Sequence, residues 1–272
     1  MGRMRLSTLW AEGSLSYIER LSIVSALYVG HSVSMYTYGG IENAPYGVDI
    51  RDAREIMPDN LLLKHKKKNS YALAADLFRI FLLKSGNHCW IDCDLVFQKP
   101  LNDDQFVLGW ENEKTLNNAV LKLPSDCAVL DDILALAFSN PIIAPYWRPQ
   151  KKAMQWVRWG LGGSRKLEDL ELGLTGPRML TIFGKKHGLA NKALPAEVFY
   201  PNSWHNAEDA LNPNVNLRER TTDKTVAVHL WNGRIRKYKD SPPPPGSFID
   251  SECKRLGIGL VAGQNRHGSR QV

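Results

Sequence analysis

Two periods of apolar spacing run through the chain, and the switches between them mark its elements. Leu6 to Trp10 reads as a short strand. In "SYIERLSIVSALYVG" the apolar positions Ile18, Leu21, Val24, Ala26 and Leu27 form one side of a helix. Ser16 is placed to cap it, with Glu19 completing a capping box and Gly30 ending it. "HSVSMYTYG" then alternates, with Val33, Met35 and Thr37 on one side, as a strand does. A β-α-β opening of this kind predicts an α/β fold, a doubly wound Rossmann-like sheet with helices on both faces. Its ligand crevice is expected at the carboxyl ends of the strands.

Helical spacing is clearest in "NSYALAADLFRIFLLKSG", where Leu73, Leu77, Ile80 and Phe81 form the stripe, Asn69 or Ser70 caps and Gly86 stops. "GNHCWIDCDLVFQKP" follows as a buried strand through Trp90, Ile91, Leu95, Val96 and Phe97. Further along, "TLNNAVLKLPSD" predicts a strand, "CAVLDDILALAFSN" a helix, and "ELGLTGPRMLTIFGKKHG" a turn at Gly176 and Pro177 leading into a helix. "EVFYPNSW" and "TVAVHLWNG" read as late strands. "SPPPPGS" reads as a polyproline linker, and the tail from Phe248 as poorly apolar, with its last ten residues disordered. The expected organisation is one catalytic domain over residues 1–240, with halves of about 1–110 and 111–240, then a linker and basic tail over 241–272.

Composition narrows the class only modestly. Of 272 residues, 43% are apolar and 23% charged, as in soluble globular proteins. The net charge of +7 favours anionic partners: nucleic acid, phosphorylated molecules or an acidic membrane face. Four cysteines without a Cys-x-x-Cys pair argue against a disulfide scaffold and for a reducing compartment. No run approaches the roughly 18 apolar residues that cross a bilayer, and the basic opening lacks the apolar stretch of a signal peptide. "KHKKK" (Lys64 to Lys68) is a basic loop, either solvated or drawn to phosphate. "WRPQKKAMQWVRW" sets Trp156 and Trp159 beside Arg158, Lys151 and Lys152. That segment is open to three readings: an acceptor-binding surface, a seat on anionic membrane, or a partly exposed packing helix.

Asp92 and Asp94 carry the chemistry. On a strand they would share a face, and two bare carboxylates inside a protein repel one another and lose several kcal/mol of hydration each, on the order given for buried ions. They become tolerable at a strand's exposed end, paired with arginine, or sharing a divalent cation such as Mg²⁺ or Mn²⁺. Asp76 and Arg79, three apart on the preceding helix, form either an ion pair at its edge or a charged face aimed into the same crevice.

With these residues in view, "ALAADLFRIFLLKSGNHCWIDCDLVFQKPL" resembles the Asp-x-Asp sugar-binding region of glycosyltransferase family 32, which includes α-1,4-galactosyltransferases and capsular polysaccharide transferases. "NNAVLKLP", "TGPRMLT" and "AVHLWNG" resemble further motifs of that family, in order, and the likeness runs from about Leu6 to Lys237. One departure is "SGNHCW", where Asn87 and His88 replace small or aliphatic residues; His88 is then a turn residue or an added metal or phosphate contact.

The resemblance implies a GT-A fold and a hexosyltransferase. Such an enzyme is metal-dependent, retains anomeric configuration, and moves a sugar from a nucleotide-sugar donor, UDP by preference, to a glycan or glycolipid acceptor in bacterial surface polysaccharide synthesis. It implies Mn²⁺ or Mg²⁺ held by Asp92, Asp94 and His229. It implies donor contacts from Trp10, Asp76, Arg79, Asp92, Trp231 and Asn232, with Asp76, Arg79, Asp92 and Asp94 as the catalytic set and Tyr36 and Tyr38 near the base. A cytoplasmic location is expected, with a peripheral seat on the inner membrane face left open. Two rival readings are a metal-dependent nucleotide-sugar phosphohydrolase and a non-enzymatic basic binding module. No nucleic-acid motif supports the latter.

Overall fold

The computed structural model describes residues 4–64, 70–163, 167 and 173–259. In chain order the elements are β1 (Arg5–Leu9), α1 (Tyr17–Tyr28), β2 (Ser32–Thr37), β3 (Asp49–Asp52), α2 (Ala72–Ser85), β4 (Cys89–Ile91), β5 (Leu95–Phe97), β6 (Val107–Trp110) and β7 (Leu116–Lys122). They continue with α3 (Ala128–Ala137), α4 (Pro149–Gly160), α5 (Pro177–Lys186), α6 (Ala196–Phe199), β8 (Ala227–His229), α7 (Asn232–Ile235) and α8 (Phe248–Arg255). Short 3-10 turns link several of them.

The fold is α/β, as expected. One sheet has the order β3-β2-β1-β4-β7-β6; β3, β2, β1 and β4 run parallel, and β7 and β6 complete it antiparallel. From β1 the chain winds outward through α1 to β2, then returns through α2 to β4 on the other side of β1. The strand order therefore reverses between β1 and β4. A crevice opens at their carboxyl ends because the connections leave in opposite directions there.

Alternation along the central strands feeds a core on each face. Leu6, Val33, Met35, Cys89 and Ile91 pack with α1 on one side; Leu9, Tyr36 and Trp90 pack with α2, α3 and α5 on the other. The capping box at Ser16 forms as read: Ile18 N–H donates to Ser16 Oγ at 3.2 Å and Ser16 N–H to Glu19 Oε2 at 2.7 Å. The cap of α2 differs from the expectation: the N-cap position is Tyr71, which makes no side-chain cap bond, and Ser70, one residue earlier, accepts from Ala72 N–H.

Three further local expectations change. The carboxylate segment is two strands. β4 ends at Ile91, Asp92 N–H makes a last bond to Ala119 C=O, and Cys93–Asp94 turn the chain into β5, which pairs with β8 in a separate two-stranded sheet. A period of two runs unbroken through both strands, so it hides the break. "EVFYPNSW" is the short helix α6 and a turn, because Pro195 starts a helical turn that buries Val198 and Phe199. The chain after the prolines forms α8, whose Phe248, Ile249 and Cys253 are buried in the α1-side core. His65 to Asn69, which include most of the basic run and the proposed Asn69 cap, lie outside the described residues, as do the last ten residues. Lys64 lies over the Tyr71 ring at 5.1 Å. Among the described residues no helix is long and apolar enough to cross a membrane.

Candidate active site

Strand β4 puts Asp92 at its carboxyl end on the same face as Trp90, which is the face covered by α2. Trp90 Nε1–H donates to Asp92 Oδ1 at 2.7 Å. From α2, Arg79 spans two carboxylates: one guanidinium nitrogen donates to Asp92 Oδ1 at 2.7 Å and another to Asp76 Oδ1 at 2.8 Å. The guanidinium lies over the Trp90 ring at 4.6 Å. The charged face of α2 thus points into the crevice of Asp92. Asp76 also accepts from Asn118 Nδ2 on β7 at 3.2 Å. Burial pushes its pKa up, and the Arg79 charge offsets only part of that.

Asp94 lies beyond the turn, and the two-stranded sheet decides its neighbour. Leu95 of β5 stands opposite His229 of β8, so Asp94 Oδ1 meets His229 Nε2 at 3.1 Å. Asn232 N–H donates to Asp94 Oδ2 at 2.6 Å. Burial disfavours both charges, but each ion favours the other, so the carboxyl lies below its usual range and the imidazole above. Trp231 sits in the left-handed region at φ 59°, ψ 58°, which is unusual for a bulky residue and costs on the order of 1–3 kcal/mol. The bend aims the Asn232 amide at Asp94. Trp231 is locked by a 2.7 Å bond from Nε1–H to Asn202 C=O and by the His229 ring at 4.1 Å between centroids.

The two carboxylates therefore combine the remedies available to them. Asp92 is at an exposed strand end, 30% accessible and paired with arginine; Asp94 is paired with histidine. Asp92, Asp94 and His229 also bring one ligand atom each within 4.8 Å of one another. Two carboxylates and an imidazole suit a divalent ion that takes the rest of its shell from water and phosphate. His229 Nδ1 and Asn232 Oδ1 are buried with no hydrogen-bond partner among the described residues, so polar capacity remains at the site.

These groups line one cleft of about 400 Å³. Trp10, Asp76, Arg79, Asp92, Asp94, His229, Trp231 and Asn232 all border it. Trp10 is only 3% exposed, so little of its ring is presented for stacking. Tyr36 and Tyr38 do not line the cleft: Tyr36 packs on Phe78, and Tyr38 O–H donates to Met57 C=O. His88 lies at the opposite, amino end of β4, against Ser7 Oγ at 3.3 Å, and also does not line the cleft.

Two contributors, Trp204 and Arg236, escape the sequence reading, and a third, Gly176, is legible there only as a turn residue. Trp204, 40% exposed, offers an open indole edge-on to Trp231. Arg236 lines the cleft and has no carboxylate partner among the described residues. Gly176 packs so tightly on Asp76 that a Cβ there would sit 2.9 Å from Oδ2. Arg236 falls seven residues after His229 in a stretch where Arg and Lys crowd, so its sequence signal is drowned.

No family model matches the chain, and no curated protein matches it. A solved structure titled PaToxG glycosyltransferase is similar over 70% of this chain and 70% of its own, at 15% identity and a TM-score of 0.42. A likeness that distant carries no functional weight.

Proposed function

We propose that the chain is a metal-dependent retaining glycosyltransferase of GT-A type, akin to family 32, transferring a hexose from a nucleoside-diphosphate sugar to an acceptor hydroxyl. One observation carries the reading: Asp92, Asp94 and His229 converge where the strand order reverses, in a cleft that also holds an exposed indole and an arginine with no carboxylate partner among the described residues. The pieces match the parts of such a donor. Trp204 offers apolar surface to the base, and Trp10 borders the same cleft. Arg236 and the Asn232 side chain face the region where a diphosphate would lie, and Asp76, Arg79 and Asn118 offer acceptors and donors to sugar hydroxyls.

Mn²⁺ or Mg²⁺, held by Asp92, Asp94 and His229, would supply stabilisation of the negative charge that builds on the leaving diphosphate. Arg236 adds a second positive charge to the same end. Arg79 keeps Asp92 from turning away, and Asn232 N–H fixes the Asp94 carboxylate plane. The acceptor's proton passes to the departing phosphate oxygen in a front-face attack, since Asp76, the further carboxylate lining the cleft, is occupied by Arg79 and Asn118. UDP is the preferred donor nucleotide, and a glycan or lipid-linked acceptor of bacterial surface polysaccharide synthesis is the substrate class the motifs suggest.

The test incubates purified protein with UDP- and GDP-sugars and Mn²⁺. Metal-dependent release of nucleoside diphosphate is expected, falling at least about a hundredfold in Asp94→Asn. Release of nucleoside monophosphate and sugar phosphate would instead identify a phosphohydrolase. Full turnover in chelator would overturn the metal's role.

A further inference from the structure

A surface helix normally turns its apolar face inward. Helix α4 does the reverse. Its one buried residue is Gln155, while Lys151 and Lys152 are half-buried. Met154, Trp156, Val157 and Trp159 face solvent, followed by Leu161 at 83% exposure. Large exposed apolar side chains elsewhere among the described residues are scattered; here five fall within Met154–Leu161. At 100° per residue, Trp156, Ala153, Val157, Leu161 and Met154 fall on the outward arc opposite Gln155, with Gln150 of the first turn the one polar side chain among them. Trp159 extends one margin, edge-on to Trp156 at 5.8 Å.

Charge frames this arc. Lys151 and Arg158 lie along one shoulder, Lys152 along the other, and Arg148 opens the helix. No acidic residue occurs between Asp132 and Glu168. Lys151 stacks over Trp147 at 4.1 Å, which holds its ammonium at the helix flank.

We infer that α4 is a membrane-docking helix that lies flat on a bilayer surface rich in anionic phospholipid headgroups. Apolar residues at the centre reach the acyl boundary, indoles sit at its margin, and cations on the shoulders meet phosphate. A second copy of the chain fits the face poorly, because a two-fold contact would set like-charged shoulders against each other. A glycan would use the indoles but leave Met154, Val157 and Leu161 without purpose.

Vesicle flotation of the full chain tests this, with phosphatidylcholine alone and with phosphatidylglycerol added. Partition onto anionic vesicles is expected to exceed that onto neutral ones by about tenfold or more and to fall with salt. Trp156→Ser with Trp159→Ser should abolish it, while Lys152→Glu with Arg158→Glu should remove the anionic preference. Trp156, Arg158 and Trp159 are exposed and Lys152 is half-buried, and an unchanged melting temperature confirms that the fold survives. The proposal is overturned by absence of vesicle binding, by binding that neither double variant alters, or by light scattering that shows the tryptophan variant dissolving a dimer. No sugar donor enters the assay, so its outcome is independent of the catalytic reading.

Discussion

Arg79 bears more of the site than any other side chain, because one buried guanidinium holds both Asp76 and Asp92. Arg79→Ala would leave Asp76 buried without its cation, and a loss of about 3 kcal/mol is expected by urea unfolding. Protons and metal compete at His229. Its pKa is raised despite burial because Asp94 favours the imidazolium. In the metal-free protein the proton therefore stays on to higher pH than in an ordinary histidine, and a divalent ion must displace it. Mn²⁺ affinity measured by calorimetry should fall as pH is lowered, and the fall should begin at higher pH than for an ordinary histidine ligand. A flat profile would remove His229 from the ligand set. At this scale the sequence was informative about residue type. Asp92, Asp94, Asp76 and Arg79 stand out because charge is rare in apolar segments. Trp204 and Arg236 did not stand out, since exposed tryptophan and arginine in loops have many ordinary uses.

Among elements, the start of α1 and the turn into α5 make separable contributions. Ser16→Ala removes the cap from α1 and should cost about 1 kcal/mol with little effect on ligand binding. Gly176→Ala should do the opposite. Its new Cβ would press on Asp76, which Arg79 and Asn118 hold in place. Weakened donor binding with a smaller change in stability is expected, read by thermal shift with nucleotide sugar. If both variants lost stability equally, the Gly176 contact would be mere packing. α1, with a long period and a capping box, and α2, with a long apolar stripe ended by Gly86, were legible because local interactions specify them. β4 and β5 were not separable, because three-residue strands in succession carry one uninterrupted alternation and only their partners distinguish them.

The whole molecule closes through its last described helix. Phe248, Ile249 and Cys253 enter the core beneath α1, and the buried Glu252 meets Arg218 and Arg255. Nearby, Lys239 and Glu19 form a buried pair that ties the end of the site segment to α1. Truncation after Gly246 should therefore lower the melting temperature sharply or abolish soluble expression; an unchanged melt would make α8 an appendage. The tail read as poorly apolar because three buried apolar residues among many polar ones leave a faint stripe. What the chain dictates by itself is local: the β-α-β opening, the cap of α1, the apolar stripe of α2 and the carboxylates that follow it, all set by neighbours a few residues apart. Tertiary structure alone decided that β5 leaves the main sheet for β8, which puts His229 beside Asp94 from 135 residues away. It also decided that α4 turns its apolar side to solvent. Periodicity reports that a helix or strand has two faces, but which face is covered depends on partners that only the folded chain brings together.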